Sequence, residues 1–181
     1  SASINQVDIE FQLEQISQMI EKKESFEKIE NFFEKLSEIA PKNTKLYSLW
    51  GNARFLYGIK HNSNQTKLIN DSIEKLDTAI LLENKISDIF LAYEICYFYQ
   101  DFTDNLSKSI KKYREKILDK QNEYYYSCMA LDKLYSFHLE DLKNREKIYE
   151  EIVSYCEKAS KYKENFFAVN YVLAKLNYHK E

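Results

Sequence analysis

The side chains that could do chemistry in this chain are three histidines, three cysteines and a scatter of paired acids. His61, His138 and His179 stand far apart. None forms an HExxH or comparable spacing that would set two imidazoles on one helix face for a metal. Cys96, Cys128 and Cys156 are equally isolated, without a CxxC or a histidine at ligand distance. Each lies among apolar neighbours at helical spacing, where a free cysteine behaves as a small hydrophobe. Reduced thiols of this kind favour an intracellular, cytoplasmic setting. Glu140-Asp141 and Glu150-Glu151 sit among lysines and arginines, the composition of a solvated helix face rather than of an acid–base pair. With only two glycines there is no phosphate-cradling loop, and no Gly-x-Ser-x-Gly elbow occurs. These residues point to a non-enzymatic protein that needs no metal and no cofactor.

Composition narrows the fold. The 181 residues include two glycines and one proline, and 30% are charged. Sheet proteins need many tight turns, and tight turns consume glycine and proline, so an all-helical chain is expected. The net charge of −3, with acids and bases interleaved, lacks the basic footprint of a nucleic-acid binder. The densest basic run, Lys108 to Lys116, is broken by Ile110, Tyr113 and Glu115 and reads as a solvated face. No apolar run approaches the ~18 residues of a membrane span. The chain opens Ser-Ala-Ser without methionine, the start expected of a cloning remnant or of a region cut from a longer protein.

Periodicity places nine helices, at about residues 4–23, 25–39, 44–57, 67–82, 88–98, 105–118, 122–137, 148–161 and 165–179. Ser25 is a candidate N-cap, and Pro41 stops the second helix. Ser87 or Asp88 would cap the fifth. His61 to Thr66 and Asp101 to Asp104 read as turns, and residues 138–147 as a loop or an early extension of the eighth helix. The stretch Leu46–Gly58 holds the only tryptophan and both glycines. A glycine inside a helix costs about 1 kcal/mol against alanine, so Gly51 implies a close neighbouring helix. Gly58 suggests a left-handed C-cap.

Helix pairs at near-constant spacing invite a search for internal repeats. Leu13, Ile16, Ser17 and Ile20 are followed by Ile29, Phe33, Leu36 and Pro41. Tyr47, 34 residues after Leu13, is followed by Trp50 and Gly51 at matching offsets, then by Ser72, Leu76 and Ala79 after a longer loop. Phe90, Tyr93, Glu94 and Tyr97 repeat the spacing with Glu94 at the small position. Tyr124, Ser127, Cys128 and Leu131 repeat it again, as do Leu173, Ala174 and Asn177. In this pattern the chain resembles the tetratricopeptide (TPR) repeat family. Arg54 departs from the aromatic that the family places there, and Phe55 is a candidate substitute.

The resemblance implies one domain over 1–181, a right-handed α-solenoid of antiparallel helix pairs. Its units would be about 10–43, 44–86, 87–120 and 121–166, with a terminal helix at 167–179. It also implies a protein-binding scaffold whose concave groove is lined by the first helix of each pair. Projected here, that face carries Ser48, Asn52, Phe55, Leu91, Ile95, Phe98, Tyr99, Tyr125, Met129, Tyr171, Lys175 and Tyr178. The expected function is recognition of an apolar or aromatic protein segment. Asn52 would hydrogen-bond the ligand backbone, and Phe55, Phe98, Tyr99, Tyr125 and Met129 would form the wall. The alternatives are a small-molecule or lipid carrier with a closed aromatic pocket, or a scaffold that self-associates through its terminal helix. No nucleic-acid or membrane partner is expected.

Overall fold

A computed structural model describes residues 2–61, 63, 65–99, 106–137 and 142–180. Among these the chain is all-helical, with nine helices and no strands: α1 (Ala2–Glu21), α2 (Phe26–Ile39), α3 (Thr44–Gly58), α4 (Gln65–Leu82), α5 (Ile86–Phe98), α6 (Leu106–Lys116), α7 (Glu123–Phe137), α8 (Leu142–Tyr162) and α9 (Phe167–Lys180). The turn expected at Asp101–Asp104 and the start of the segment at 138–147 lie outside the described residues. Within the latter, helix α8 is already formed from Leu142.

Local chemistry sets the helix ends. The Ser25 side chain accepts from the Lys28 amide at 3.3 Å, and Asn43 Oδ1 accepts from the Leu46 amide at 3.0 Å, opening α2 and α3. Each satisfies one of the orphan donors of a first turn. Asn122 does the same for α7 through the Tyr125 amide at 2.8 Å. At α5 the helix begins at Ile86, so its N-cap is Lys85, which makes no side-chain cap bond. Ser87 and Asp88 therefore lie inside the first turn, and neither caps it.

The chain divides into two compact units, residues 1–110 and 111–181. The division falls within the third expected repeat rather than between repeats. In the first unit α1 packs on α2 and both pack on α3, α3 packs along α4, and α4 on α5. Ile29, Phe33 and Leu36 of α2 meet Leu46, Trp50 and Ala53 of α3 in one cluster with Ile9, Leu13 and Ile16 of α1. In the second unit α7 packs along α8, and α9 contacts both. Leu131, Ile152, Ala159 and Val172 are fully buried there.

The segment around Trp50 holds α2, α3 and α4 together. The Trp50 ring stacks on Phe33, with centroids 5.4 Å apart and planes at 8°. Its indole N–H donates to Glu30 at 2.7 Å, and the same carboxylate accepts Arg54 Nε and Nη2 at 3.0 Å each. Lys75 of α4 lies 4.0 Å from the Trp50 ring centroid. Arg54 thus replaces the expected aromatic with a partly buried fork–fork ion pair. Phe55 does not substitute for that aromatic, because it points to α5 instead, edge-on to Tyr99 at 5.2 Å.

Both glycines are packing positions. A Cβ at Gly51 would lie 2.9 Å from Leu76 Cγ and 3.2 Å from the Ser72 carbonyl oxygen, and one at Gly58 would lie 3.1 Å from Leu68 Cβ. Ser72 Oγ donates to the Gly51 carbonyl at 2.7 Å, which draws the two backbones together. Gly58 is not the left-handed cap its position suggests: no glycine has positive φ, and α3 is closed by Ile59 in right-handed conformation. The turns that need a left-handed residue use Lys23 (φ 57°) and Asn165 (φ 54°).

Candidate functional site

The first unit contains a cavity of about 590 Å³ whose walls come from three alternate helices. Helix α1 contributes Glu10, Leu13, Glu14 and Ser17; α3 contributes Lys45, Ser48, Leu49 and Asn52; α5 and its N-cap contribute Lys85, Ser87 and Asp88. Neither α2 nor α4 reaches it. The reason lies in the sequence pattern: α2 and α4 bury Ile29, Phe33, Leu36, Leu76 and Ala79 against α3, and the opposite side of α3 is left to face α1 and α5.

Asp88 is the most constrained polar group in the cavity wall, at 5% exposure. Its Oδ2 accepts from Ser48 Oγ at 2.8 Å, a bond that joins α3 to α5. Burial holds its carboxyl above the usual aspartate range, opposed by the Ser48 hydrogen bond and by Lys85. Asn52 stands one turn along from Ser48 and donates its amide to the Ser48 carbonyl at 2.8 Å. The second amide hydrogen and the carbonyl oxygen of Asn52 have no hydrogen-bond partner among the described residues. Two ion pairs flank the site: Lys45 with Glu10 at 3.4 Å, and Lys85 with Glu83 at 3.7 Å.

The other residues expected on the binding face separate into distinct environments. Phe55 and Tyr99 form one part-exposed pair, further along α3 and α5 from the cavity. Phe98 is part-exposed with its ring edge-on to Tyr97 at 5.1 Å. Ile95 departs from the expectation: at 1% exposure it is core, because α5 is covered on most of its circumference. In the second unit Tyr125 packs edge-on to Tyr126 at 5.4 Å, Met129 is part-exposed, and Tyr171 lies 6.5 Å from Phe167. Among the small positions of the expected repeat, Gly51 and Cys128 are buried and Ser17 is half-buried, whereas Ala174 is exposed.

The face was expected to be aromatic and apolar, and around Asn52 it is instead polar and charged. Asp88, Glu14, Ser17 and Lys85 were not anticipated there. Local pattern gave no signal for them, and Asp88 suited the bland role of helix cap.

The chemistry available at other groups is limited by burial. Cys96, Cys128 and Cys156 are free and buried. Burial and the neighbouring Glu157 push the Cys156 thiol up to about 11, which leaves little thiolate at neutral pH. Glu94 is half-buried on α5, and burial pushes its carboxyl up to about 7. Among the described residues no group of three His, Cys, Asp or Glu side chains is placed to hold a metal ion. No helix among them is long and apolar enough to cross a membrane. Comparison with protein-family models, with curated proteins and with solved structures finds no match.

Proposed function

We propose that the protein is a non-catalytic recognition module of TPR-like helix pairs, binding an extended segment of a partner protein along the face shared by α1, α3 and α5. The observation that carries this reading is the cavity lined by those three alternate helices and by no residue of α2 or α4. In a stacked array of helix pairs, the first helices form a continuous concave surface. The helix contacts support the same geometry. In α1–α2–α3, and again in α7–α8–α9, a helix pair is followed by a helix that packs against both its members.

The site suits a peptide backbone with mixed side chains. Asn52 offers an amide hydrogen and an oxygen, Ser87 offers a hydroxyl, Ser17 offers an acceptor because its O–H is donated to the Leu13 carbonyl, and Leu13 and Leu49 supply apolar surface. The Phe55–Tyr99 pair adds an aromatic surface further along the same two helices. Selection from a random-peptide display library tests the reading. The wild-type protein is expected to enrich a defined motif, and folded Asn52→Ala and Phe55→Ala variants are expected to bind the selected peptides about tenfold more weakly, the loss of one central contact each. Failure to enrich any motif, or unchanged affinity in both variants, would sink it.

A further inference from the structure

Charge accounting inside the cavity shows what the bound segment should carry. Five ionisable side chains line it, Glu10, Glu14, Asp88, Lys45 and Lys85. Both lysines are already engaged, Lys45 with Glu10 and Lys85 with Glu83 just outside the cavity. Glu14 and Asp88 remain without a direct ion pair among the described residues, although Lys85 also acts on Asp88 through space. Asp88 is the more telling of the two. It is 5% exposed, and its Oδ2 is held by the Ser48 hydroxyl, while Oδ1 receives no hydrogen bond from any described residue. The carboxylate thus has one neutral hydrogen-bond donor, with Lys85 acting on it through space and Oδ1 open to the cavity. The burial-raised pKa of Asp88 is consistent with so few partners.

We infer, resting on the peptide-recognition reading above, that the cavity receives a lysine or arginine side chain of the bound segment, with Asp88 Oδ1 as its principal counter-ion and Glu14 as the outer one. A cation there supplies what Asp88 lacks, a charged hydrogen-bond donor at Oδ1. A volume of about 590 Å³ falls within the range of ordinary ligand pockets, enough for a long basic side chain and adjoining backbone. The aromatic pair fixes a second feature of the ligand. Ser48 to Phe55 is about 10 Å along α3, and Asp88 to Tyr99 about 16 Å along α5, at 1.5 Å per residue. An extended chain spans those distances in about three to five residues. The recognised segment therefore has a basic residue followed or preceded, at that interval, by an apolar or aromatic one.

A positional-scanning array of short synthetic peptides, probed with the full chain, separates this inference from the reading beneath it. The wild-type protein is expected to prefer Lys or Arg at one position and an aromatic three to five residues away. Asp88→Asn, which keeps an acceptor for Ser48, should lose about tenfold in affinity for basic peptides and retain the aromatic preference. Glu14→Gln, at an exposed site, should weaken the basic preference more mildly and gives a second test if Asp88→Asn fails to fold. Peptide binding without any basic preference, or a basic preference unchanged in both variants, would overturn the inference and leave peptide recognition standing. No peptide bound at all would overturn both.

Discussion

Ser48 donates to Asp88 at 2.8 Å across 40 residues of chain, and this hydroxyl is the only hydrogen-bond donor to that carboxylate among the described residues. The bond ties α3 to α5 at the cavity wall and fixes where a buried negative charge sits. Because burial raises the Asp88 pKa, its charge is a cost that the hydroxyl partly offsets.

Ser48→Ala is expected to destabilise the protein by about 1–2 kcal/mol at pH 7, the cost of leaving a buried acceptor unmet. The sign of its pH dependence follows from the raised pKa. Below the ordinary aspartate range the carboxyl is protonated in both states, so the deficit shrinks; as pH rises through the folded-state value, the uncompensated charge appears and the deficit grows. Urea denaturation of wild type and variant at acid and neutral pH measures the difference.

Glu94 occupies a position where the expected repeat pattern calls for a small residue, and burial pushes its carboxyl up to about 7. No cation pairs with it among the described residues. Its contribution is favourable below the unfolded value near 4.5 and is lost as pH rises through about 7. Wild type should therefore lose stability between pH 5 and 8. Glu94→Gln should flatten that profile and gain about 2 kcal/mol at pH 8, the larger part of the ~3 kcal/mol that such a shift represents. Equal pH profiles for the two proteins would refute the assignment.

Glu30 accepts from Trp50 Nε1 and from both Arg54 donors. Its removal leaves an indole N–H and a guanidinium, 14% exposed as a side chain, without their shared acceptor. Glu30→Ala is expected to cost about 2–4 kcal/mol. The single tryptophan makes the effect readable by fluorescence during denaturation, because Trp50 is itself in the affected contact.

Gly51→Ala sets a helix-propensity gain of about 1 kcal/mol against a clash. The new Cβ would stand 2.9 Å from Leu76 Cγ, on a fully buried side chain, and 3.2 Å from the Ser72 carbonyl oxygen. Overpacking of this kind costs about 1–3 kcal/mol, so a net loss and a lower melting temperature are expected. The same change at Gly58, whose closest contact is 3.1 Å, should be milder.

Much of the architecture was legible in the residues. The apolar faces of α2 (Ile29, Phe33, Leu36) and α4 (Ile69, Leu76, Ala79) repeat at helical intervals, and Ser25 and Pro41 mark the ends of α2 by local chemistry. Gly51 announced a close helix contact because nothing else justifies glycine there. What local patterns could not carry was tertiary partnership. Arg54 looked like a defect in the repeat until Glu30, 24 residues earlier, supplied its partner. Ile95 fitted the groove spacing, but α5 is covered on most of its circumference, so position on the helix did not decide exposure. Asp88 read as a cap because its true partner, Ser48, lies on another helix.

The most direct test of the central claim is amide chemical-shift mapping of the protein with a peptide selected from the display library. Perturbations are expected to cluster at Ser17, Ser48, Asn52, Phe55 and Asp88, on α1, α3 and α5, with α2 and α4 largely silent. Perturbations confined to α2 and α4, or absent from the cavity residues, would contradict it.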